Sequence, residues 1–333
     1  MLKNSSILIT GGTGSFGKNF VPFALKKYKP KRLIIFSRDE MKQWEMARLY
    51  KKDSRIRFFL GDVRDKDRLH RALHNVDYVV HAAALKIVST AEYNPFECVK
   101  TNINGAMNVI ETCIDQKVKK VVALSTDKAS SPISLYGATK LVSDKLFTAS
   151  NSSYAQSHKT RFAVVRYGNV MGSRGSVIPL FSSLKDTGEL PITDLKMTRF
   201  MISLEQAIDF VRFAFEEMQG GEIYVKKIPS IKVTDIAKTI LPKAKFKIIG
   251  IQPGEKLHEQ MISKEEINST FEYTNYYKIL PQTNKSSKNK LLIKNGKKVS
   301  EGFVYSSDNN KDWMTKSDLK KWINKNTNNI GKI

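Results

Sequence analysis

The chain has 333 residues, 41% hydrophobic and 26% charged, a balance that belongs to a globular protein with a substantial core and excludes fibrous and disordered classes. Its 56 lysines and arginines against 32 acidic residues leave a charge of +24, which attracts phosphate-bearing partners without choosing among small anions, lipid and nucleic acid. The two cysteines, Cys98 and Cys113, form no CxxC pair and stand near no histidine cluster, so neither a disulfide framework nor a metal site is expected.

No apolar run reaches the roughly 20 residues that span a bilayer. The first strand starts near Ile7, leaving no room for a signal peptide, and a soluble cytoplasmic protein without a membrane partner is expected. The lysines are spread along the chain among many Asn and Ile, a pattern that genome bias alone produces. The densest basic stretch, Lys285 to Lys298, lacks the interleaved aromatics of a single-strand binding surface and reads as a solvated segment. No nucleic-acid partner is expected.

In chain order, short apolar runs alternate with amphipathic stretches, the pattern of βαβ units. Strands are predicted at Ile7–Thr10, Arg32–Phe36, Ile56–Leu60, Tyr78–His81, Val121–Leu124 and Phe162–Arg166. Runs such as "RLIIF" and "KVVAL" are apolar on both faces, as buried parallel strands are. The predicted fold is therefore α/β, a Rossmann-type doubly wound parallel sheet occupying residues 1–168. Past Arg166 the alternation breaks into glycine- and proline-bearing loops, followed by a helix at Glu205–Glu217 and a strand in "EIYVKKI". The chain is expected to return to the sheet at about 203–228. Residues 169–202 and 229–333 are assigned to a smaller lobe and tail covering the sheet's carboxyl edge.

Directly after the first strand come Gly11, Gly14, Ser15, Phe16 and Gly17. Glycines at this spacing, between a strand and a helix, permit a tight turn and let the backbone approach a pyrophosphate held at the helix N-terminus. The second strand ends in Ser37, Arg38, Asp39 and Glu40, with Lys42 one turn later. A basic pair there suits the 2′-phosphate of NADP, whereas Asp39 alone would serve NAD. Asp62 and Val63 follow the third strand beside the adenine position, and Ala82 and Ala83 leave space beneath the cofactor after the fourth.

The fifth strand delivers Leu124, Ser125, Thr126, Asp127 and Lys128 to the same carboxyl edge, just upstream of Tyr136 and Lys140. A helix places the last two on one face, one turn apart. A cation beside a phenol favours phenolate, so Lys140 is expected to lower the pKa of Tyr136 and make it a base toward a sugar hydroxyl.

In these strings, together with "GDVRD", "HAAALK", "RYGNV", "GSRGSV", "PITD", "MTRF", "PGEKLHE" and "YSSDNN", the chain resembles the extended short-chain dehydrogenases. Within them it resembles the inverting UDP-N-acetylglucosamine 4,6-dehydratases of pseudaminic acid biosynthesis, over nearly its whole length. The resemblance implies that Tyr136 deprotonates the C4 hydroxyl while hydride passes to NADP, Lys128 removes the C5 proton, and Asp127 protonates the departing C6 hydroxyl. Hydride then returns to C6, and C5 is reprotonated on its opposite face. Thr126 would hydrogen-bond the C4 oxygen. Membrane-bound relatives that retain C5 configuration have methionine at the position of Tyr136. A lysine base needs a pKa lowered by burial or a neighbouring cation.

The resemblance also implies UDP-sugar contacts from Lys86, Tyr136, Asn169, Val170, Arg174, Val177, Met197, Arg199, Gln252 and Glu255, with Ser176 nearby, and a homo-oligomer, dimer or hexamer. Three positions depart from the family pattern: Ile87 replaces a histidine, Met201 a tryptophan and Gln252 an arginine. Another UDP-sugar as substrate, or an NADP-dependent epimerase or reductase, is the alternative. An epimerase would have no need of Asp127 and Lys128.

Overall fold

The computed structural model describes residues 2–153, 159–281, 292–327 and 330–331. Six strands form where the apolar runs predict them: β1 Ser6–Thr10, β2 Arg32–Ser37, β3 Ile56–Leu60, β4 Tyr78–His81, β5 Lys120–Thr126 and β6 Arg161–Tyr167. They lie side by side in the order 3-2-1-4-5-6, all parallel. Each is joined to the next through helical crossover segments. The strand order reverses between β1 and β4, the switch point at which open α/β sheets bind ligands beyond their carboxyl ends. Strands β1 and β4 are buried throughout, so the sheet's centre is covered on both faces.

After β6 the chain leaves the sheet, and it returns with helix Leu204–Glu217 and strand Ile223–Lys226, which pairs parallel to β6. Ser203 starts that helix one residue before the apolar pattern does. Its hydroxyl accepts from the Gln206 amide while the Gln206 side chain accepts from the Ser203 amide, a reciprocal cap for two otherwise unpaired donors.

The sheet does not stop at the boundary predicted near residue 229. Tyr276–Ile279, Thr270–Glu272 and Lys297–Lys298 extend it antiparallel, making ten strands among the described residues. Thr270–Glu272 and Tyr276–Ile279 are joined by a short turn, so no helix stands between them to announce the pair in the sequence. The basic stretch is divided accordingly: residues 285–291 lie outside the described residues, Leu292 is buried, and Lys297–Lys298 form the outermost strand.

A second core gathers Met171, Ile178, Phe181, Leu190, Met201 and Leu319 beside the carboxyl ends of the parallel strands. Its elements include helices Val177–Ser183, Val233–Ile240 and Lys316–Asn326 and the small sheet formed by Asn169–Val170, Thr198–Ile202 and Ser230–Lys232. Among the described residues no helix is long and apolar enough to cross a membrane.

Candidate active site

A cleft of about 1210 Å³ runs along the carboxyl ends of β1, β2, β4 and β5 and under the second lobe. At one end the β1 strand turns into helix α1, Ser15–Lys27. Gly11 takes φ +64°, and a Cβ there would stand 2.9 Å from the Ala83 backbone. At Gly17 a Cβ would stand 2.1 Å from the Gly12 carbonyl oxygen. The loop is thus folded tightly enough that side chains are excluded. No side chain caps the start of α1 at Gly14, leaving its first N–H groups and positive dipole end facing the cleft, where a pyrophosphate fits.

Gly11, Gly14, Ser15, Phe16, Ser37, Arg38, Asp39, Lys42, Asp62, Val63, Ala82, Ala83, Leu124 and Ser125 all line the cleft, whereas Gly17, buried at the start of α1, and Glu40, exposed on the helix that follows β2, do not. Asp39 caps the helix Glu40–Leu49 by accepting from the Lys42 amide, and its other oxygen is paired with the Lys42 ammonium. That bonding holds the Asp39 carboxyl below its ordinary pKa. Arg38 lies 3.6 Å from Asp62, which Arg64 also engages at 2.8 Å. Thr13, which the sequence did not single out, bonds Ser37 across the loop at 2.7 Å and lines the cleft.

Beneath the cleft, the Thr10 hydroxyl accepts from the Ala82 and Ala83 amides at 3.2 Å each and lies 2.9 Å from His81 Nδ1. With both acceptor positions of the hydroxyl taken, its proton points to His81, which is therefore neutral at Nδ1. Burial pushes the His81 pKa down to about 3.

Thr126, Asp127, Lys128, Tyr136 and Lys140 converge on the middle of the cleft. A tight turn at Asp127–Ala129 ends β5, and the Thr126 hydroxyl accepts the Lys128 amide and donates to Asp127 Oδ1. The helix Leu135–Ser153 starts against this turn. Gly137 makes the approach possible, since a Cβ there would lie 2.3 Å from the Lys128 carbonyl oxygen. Tyr136 is buried and hydrogen-bonded to Thr126. Burial pushes its pKa up to about 12, against the opposing pull of Lys128 and the Thr126 bond.

Lys140 donates to the Leu124 carbonyl at 2.8 Å, and burial pushes its pKa down. The cation acting on the Tyr136 phenol is thus Lys128, not the Lys140 expected from spacing, because the Lys140 ammonium is tied to the end of β5. Behind Lys140, Asp144 accepts from Ser125 at 2.7 Å and pairs with the fully buried Arg166 at 3.2 Å, which also engages Glu266 at 3.0 Å.

Lys128 lies 3.1 Å from Asp127 Oδ1 and 3.0 Å from Glu259 Oε1. Burial alone would lower its pKa, but the two carboxylates outweigh burial and raise it. The lowering that a lysine base needs is therefore not what the resting site provides. Asp127 is pushed up, by burial first and by Glu259 second.

Of the residues expected to hold a UDP-sugar, Lys86, Asn169, Val170, Arg174, Gln252 and Glu255 line the far half of the cleft with Ser176. Asn169 Oδ1 is buried and has no hydrogen-bond partner among the described residues, and Lys86 donates to the Arg174 carbonyl at 3.0 Å. Val177 and Met197 pack into the second core instead. Arg199 is buried, donates to the Thr198 and Leu257 carbonyls and faces Glu259 at 3.9 Å. Of the three departures, Ile87 and Gln252 stand on the cleft wall, while Met201 is a core residue. The Gln252 amide donates to Gly250 of its own loop.

Residues 7–281 match the family model described as polysaccharide biosynthesis protein. A curated relative from Campylobacter jejuni subsp. jejuni serotype O:2, the inverting UDP-N-acetylglucosamine 4,6-dehydratase, is 54% identical over 97% of this chain and 98% of its own length. Among solved structures, Pen from Bacillus thuringiensis superimposes with a TM-score of 0.88 at 39% identity, covering 98% of this chain and 99% of that one. DesIV, a dTDP-glucose 4,6-dehydratase from Streptomyces venezuelae solved with NAD bound, gives a TM-score of 0.68 at 25% identity over 76% of this chain and 86% of its own. On its sequence and its fold, the chain belongs to the polysaccharide biosynthesis protein family and, within it, to the group of the inverting UDP-N-acetylglucosamine 4,6-dehydratases.

Proposed function

We propose that the protein is an NADP-dependent, C5-inverting UDP-N-acetylglucosamine 4,6-dehydratase. The observation that carries this reading is the Asp127–Lys128 pair, side by side and 3.1 Å apart within the same cleft as Tyr136. Removal of water from C5 and C6 needs a base and an acid within reach of adjacent carbons, which an epimerase does not need.

The glycine loop and the start of α1 would hold the cofactor's pyrophosphate, with Arg38 and Lys42 at the ribose phosphate and Lys140 near the ring end of the cleft. Acceptance of hydride from C4 and its return to C6 is the chemistry that a bound nicotinamide cofactor supplies. Tyr136, hydrogen-bonded to Thr126, acts as the phenolate that the cationic Lys128 favours, takes the C4 hydroxyl proton and becomes the neutral phenol.

Lys128 becomes a base by passing its proton to Asp127 across their 3.1 Å contact. The resulting amine takes the C5 proton, and neutral Asp127 gives its proton to the C6 hydroxyl, which leaves as water. The pair ends as it began, ammonium beside carboxylate. Asp127, already pushed up by burial, is suited to accept that proton. Lys86, Asn169, Arg174 and Glu255 form the sugar–nucleotide half of the site. The same reading places the enzyme in the cytoplasm as a homo-oligomer. Its described cysteines, both free and buried, fit a reducing compartment.

The test is incubation of the purified protein with UDP-N-acetylglucosamine in D2O without added reductant, followed by NMR and mass spectrometry. A 4-keto-6-deoxy sugar carrying deuterium at an inverted C5 is the expected product. A 4-epimer without loss of water would refute the dehydratase reading, and unchanged sugar would direct attention to Ile87, Gln252 and a different UDP-sugar.

A further inference from the structure

The acid–base pair has a second carboxylate behind it. Glu259 comes from the segment preceding strand Gln260–Ile262, far along the chain from Lys128. It is 1% exposed and does not belong to the cleft wall. Its Oε1 lies 3.0 Å from Lys128 Nζ and 3.9 Å from Arg199 Nε. Its Oε2 and Asp127 Oδ2 are both buried without a hydrogen-bond partner among the described residues. Lys128 thus bridges two carboxylates, one in the cleft and one sealed beneath it. The backbone on either side of Glu259 is fixed, since its amide donates to the Ser307 hydroxyl at 3.0 Å and its carbonyl accepts from the Ser307 amide at 2.8 Å.

We infer that Glu259 is a positioning residue for the dehydration step, a permanent anion that aims the Lys128 ammonium at the cleft and leaves Asp127 as the carboxyl that carries the shared proton. The inference rests on the dehydratase reading and adds to it a residue that touches neither substrate nor cofactor. Two buried carboxylates around one lysine cannot both remain charged at low cost. Glu259 has the additional cations Arg199 and Lys256 nearby and is held below its ordinary pKa despite burial, whereas Asp127 is pushed up. When Lys128 takes the C5 proton, the ammonium forms within hydrogen-bond reach of an anion already in place. The groups facing Lys128 are Asp127 on its own turn, Tyr136 on the adjoining helix, Arg199 on strand Thr198–Ile202, and Lys256 and Glu259 on the loop before Gln260.

The experiment measures the Lys128 titration in Glu259→Gln, Glu259→Asp and Arg199→Gln beside the wild type. It is read by competitive acetic anhydride labelling of the Lys128 peptide and, separately, by the pH profile of kcat. An opposite charge at this range shifts a pKa by about 1–3 units. Glu259→Gln should therefore move the Lys128 transition down by that amount with KM little changed. Glu259→Asp should restore the wild-type position, and Arg199→Gln, which removes a competing cation, should move it up. A transition that stays in place in folded Glu259→Gln, or that moves equally in Glu259→Asp, overturns the inference. If Glu259→Gln does not fold, Arg199→Gln decides alone by its upward shift or lack of one. Labelling needs no turnover, so a shifted transition in an enzyme that converts UDP-N-acetylglucosamine to its 4-epimer without loss of water would sink the dehydratase reading while leaving Glu259 as the anion that positions the Lys128 ammonium.

Discussion

Two glycines of the first loop make a matched experiment. In Gly17→Ala the new methyl would stand 2.1 Å from the Gly12 carbonyl oxygen and 2.4 and 2.5 Å from that residue's carbonyl carbon and Cα. All three are backbone atoms, so no rotamer relieves the clash. Restoring a 3.0 Å contact means moving α1 from the β1 turn by 3.0 − 2.1 = 0.9 Å. Overpacking of this kind costs about 1–3 kcal/mol, and the rigid neighbours place Gly17→Ala near the upper end.

Gly14→Ala is different. Its methyl meets only the Gly11 carbonyl oxygen at 3.2 Å, and its backbone, at φ −77° and ψ 178°, suits any residue. Stability should change by less than about 0.5 kcal/mol, while the methyl occupies the cleft wall where the pyrophosphate approaches. Urea unfolding with and without cofactor, and cofactor titration by calorimetry, separate the two effects. Gly17→Ala should lose both stability and binding, and Gly14→Ala should lose binding at least tenfold with its unfolding midpoint intact. Wild-type unfolding of Gly17→Ala, or wild-type affinity of Gly14→Ala, would refute the account of the loop.

Two further outcomes are expected. His81 is neutral in the fold with a depressed pKa of about 3, so the stability it contributes is present above the unfolded value near 6.5 and is lost as pH falls below it. Between pH 6.5 and pH 5 this amounts to about 1.5 kcal/mol. Urea midpoints should show that loss in the wild type and a smaller one in His81→Asn; equal losses would remove His81 from the explanation. Replacing Arg38 or Lys42 singly by alanine should weaken NADP by about 10–100-fold while leaving NAD little changed, since a charge-assisted bond contributes about 1.5–3 kcal/mol. Equal loss for both cofactors in direct binding would mean that neither cation reads the 2′-phosphate.

What the sequence made legible was local. Strands β1 to β6 stand within two residues of their predicted ends because each is an apolar run bounded by turn residues. The glycine loop and the Tyr136–Lys140 pair were visible because their partners are near in sequence. Glu259 was not, although "PGEKLHE" contains it. Nothing in spacing tells that a residue beyond the sixth strand folds under Lys128. Arg199 shows the converse: an arginine expected among the UDP-sugar contacts is buried against Glu259 and two carbonyls. The raised pKa of Lys128 was hidden for the same reason, since it depends on a carboxylate delivered by tertiary packing.

The ten-stranded sheet is continuous from the first third of the chain to the last, with Tyr276–Ile279 hydrogen-bonded to Ile223–Lys226. The cofactor half and the sugar half are therefore not beads on a string that recombination can exchange. A graft that brought in a new sugar pocket without the outer strands would leave Ile223–Lys226 as a bare edge, open to pairing with other chains. Changes of sugar preference in such a molecule are confined to what loops can do, and Ile87 and Gln252 sit on two of them.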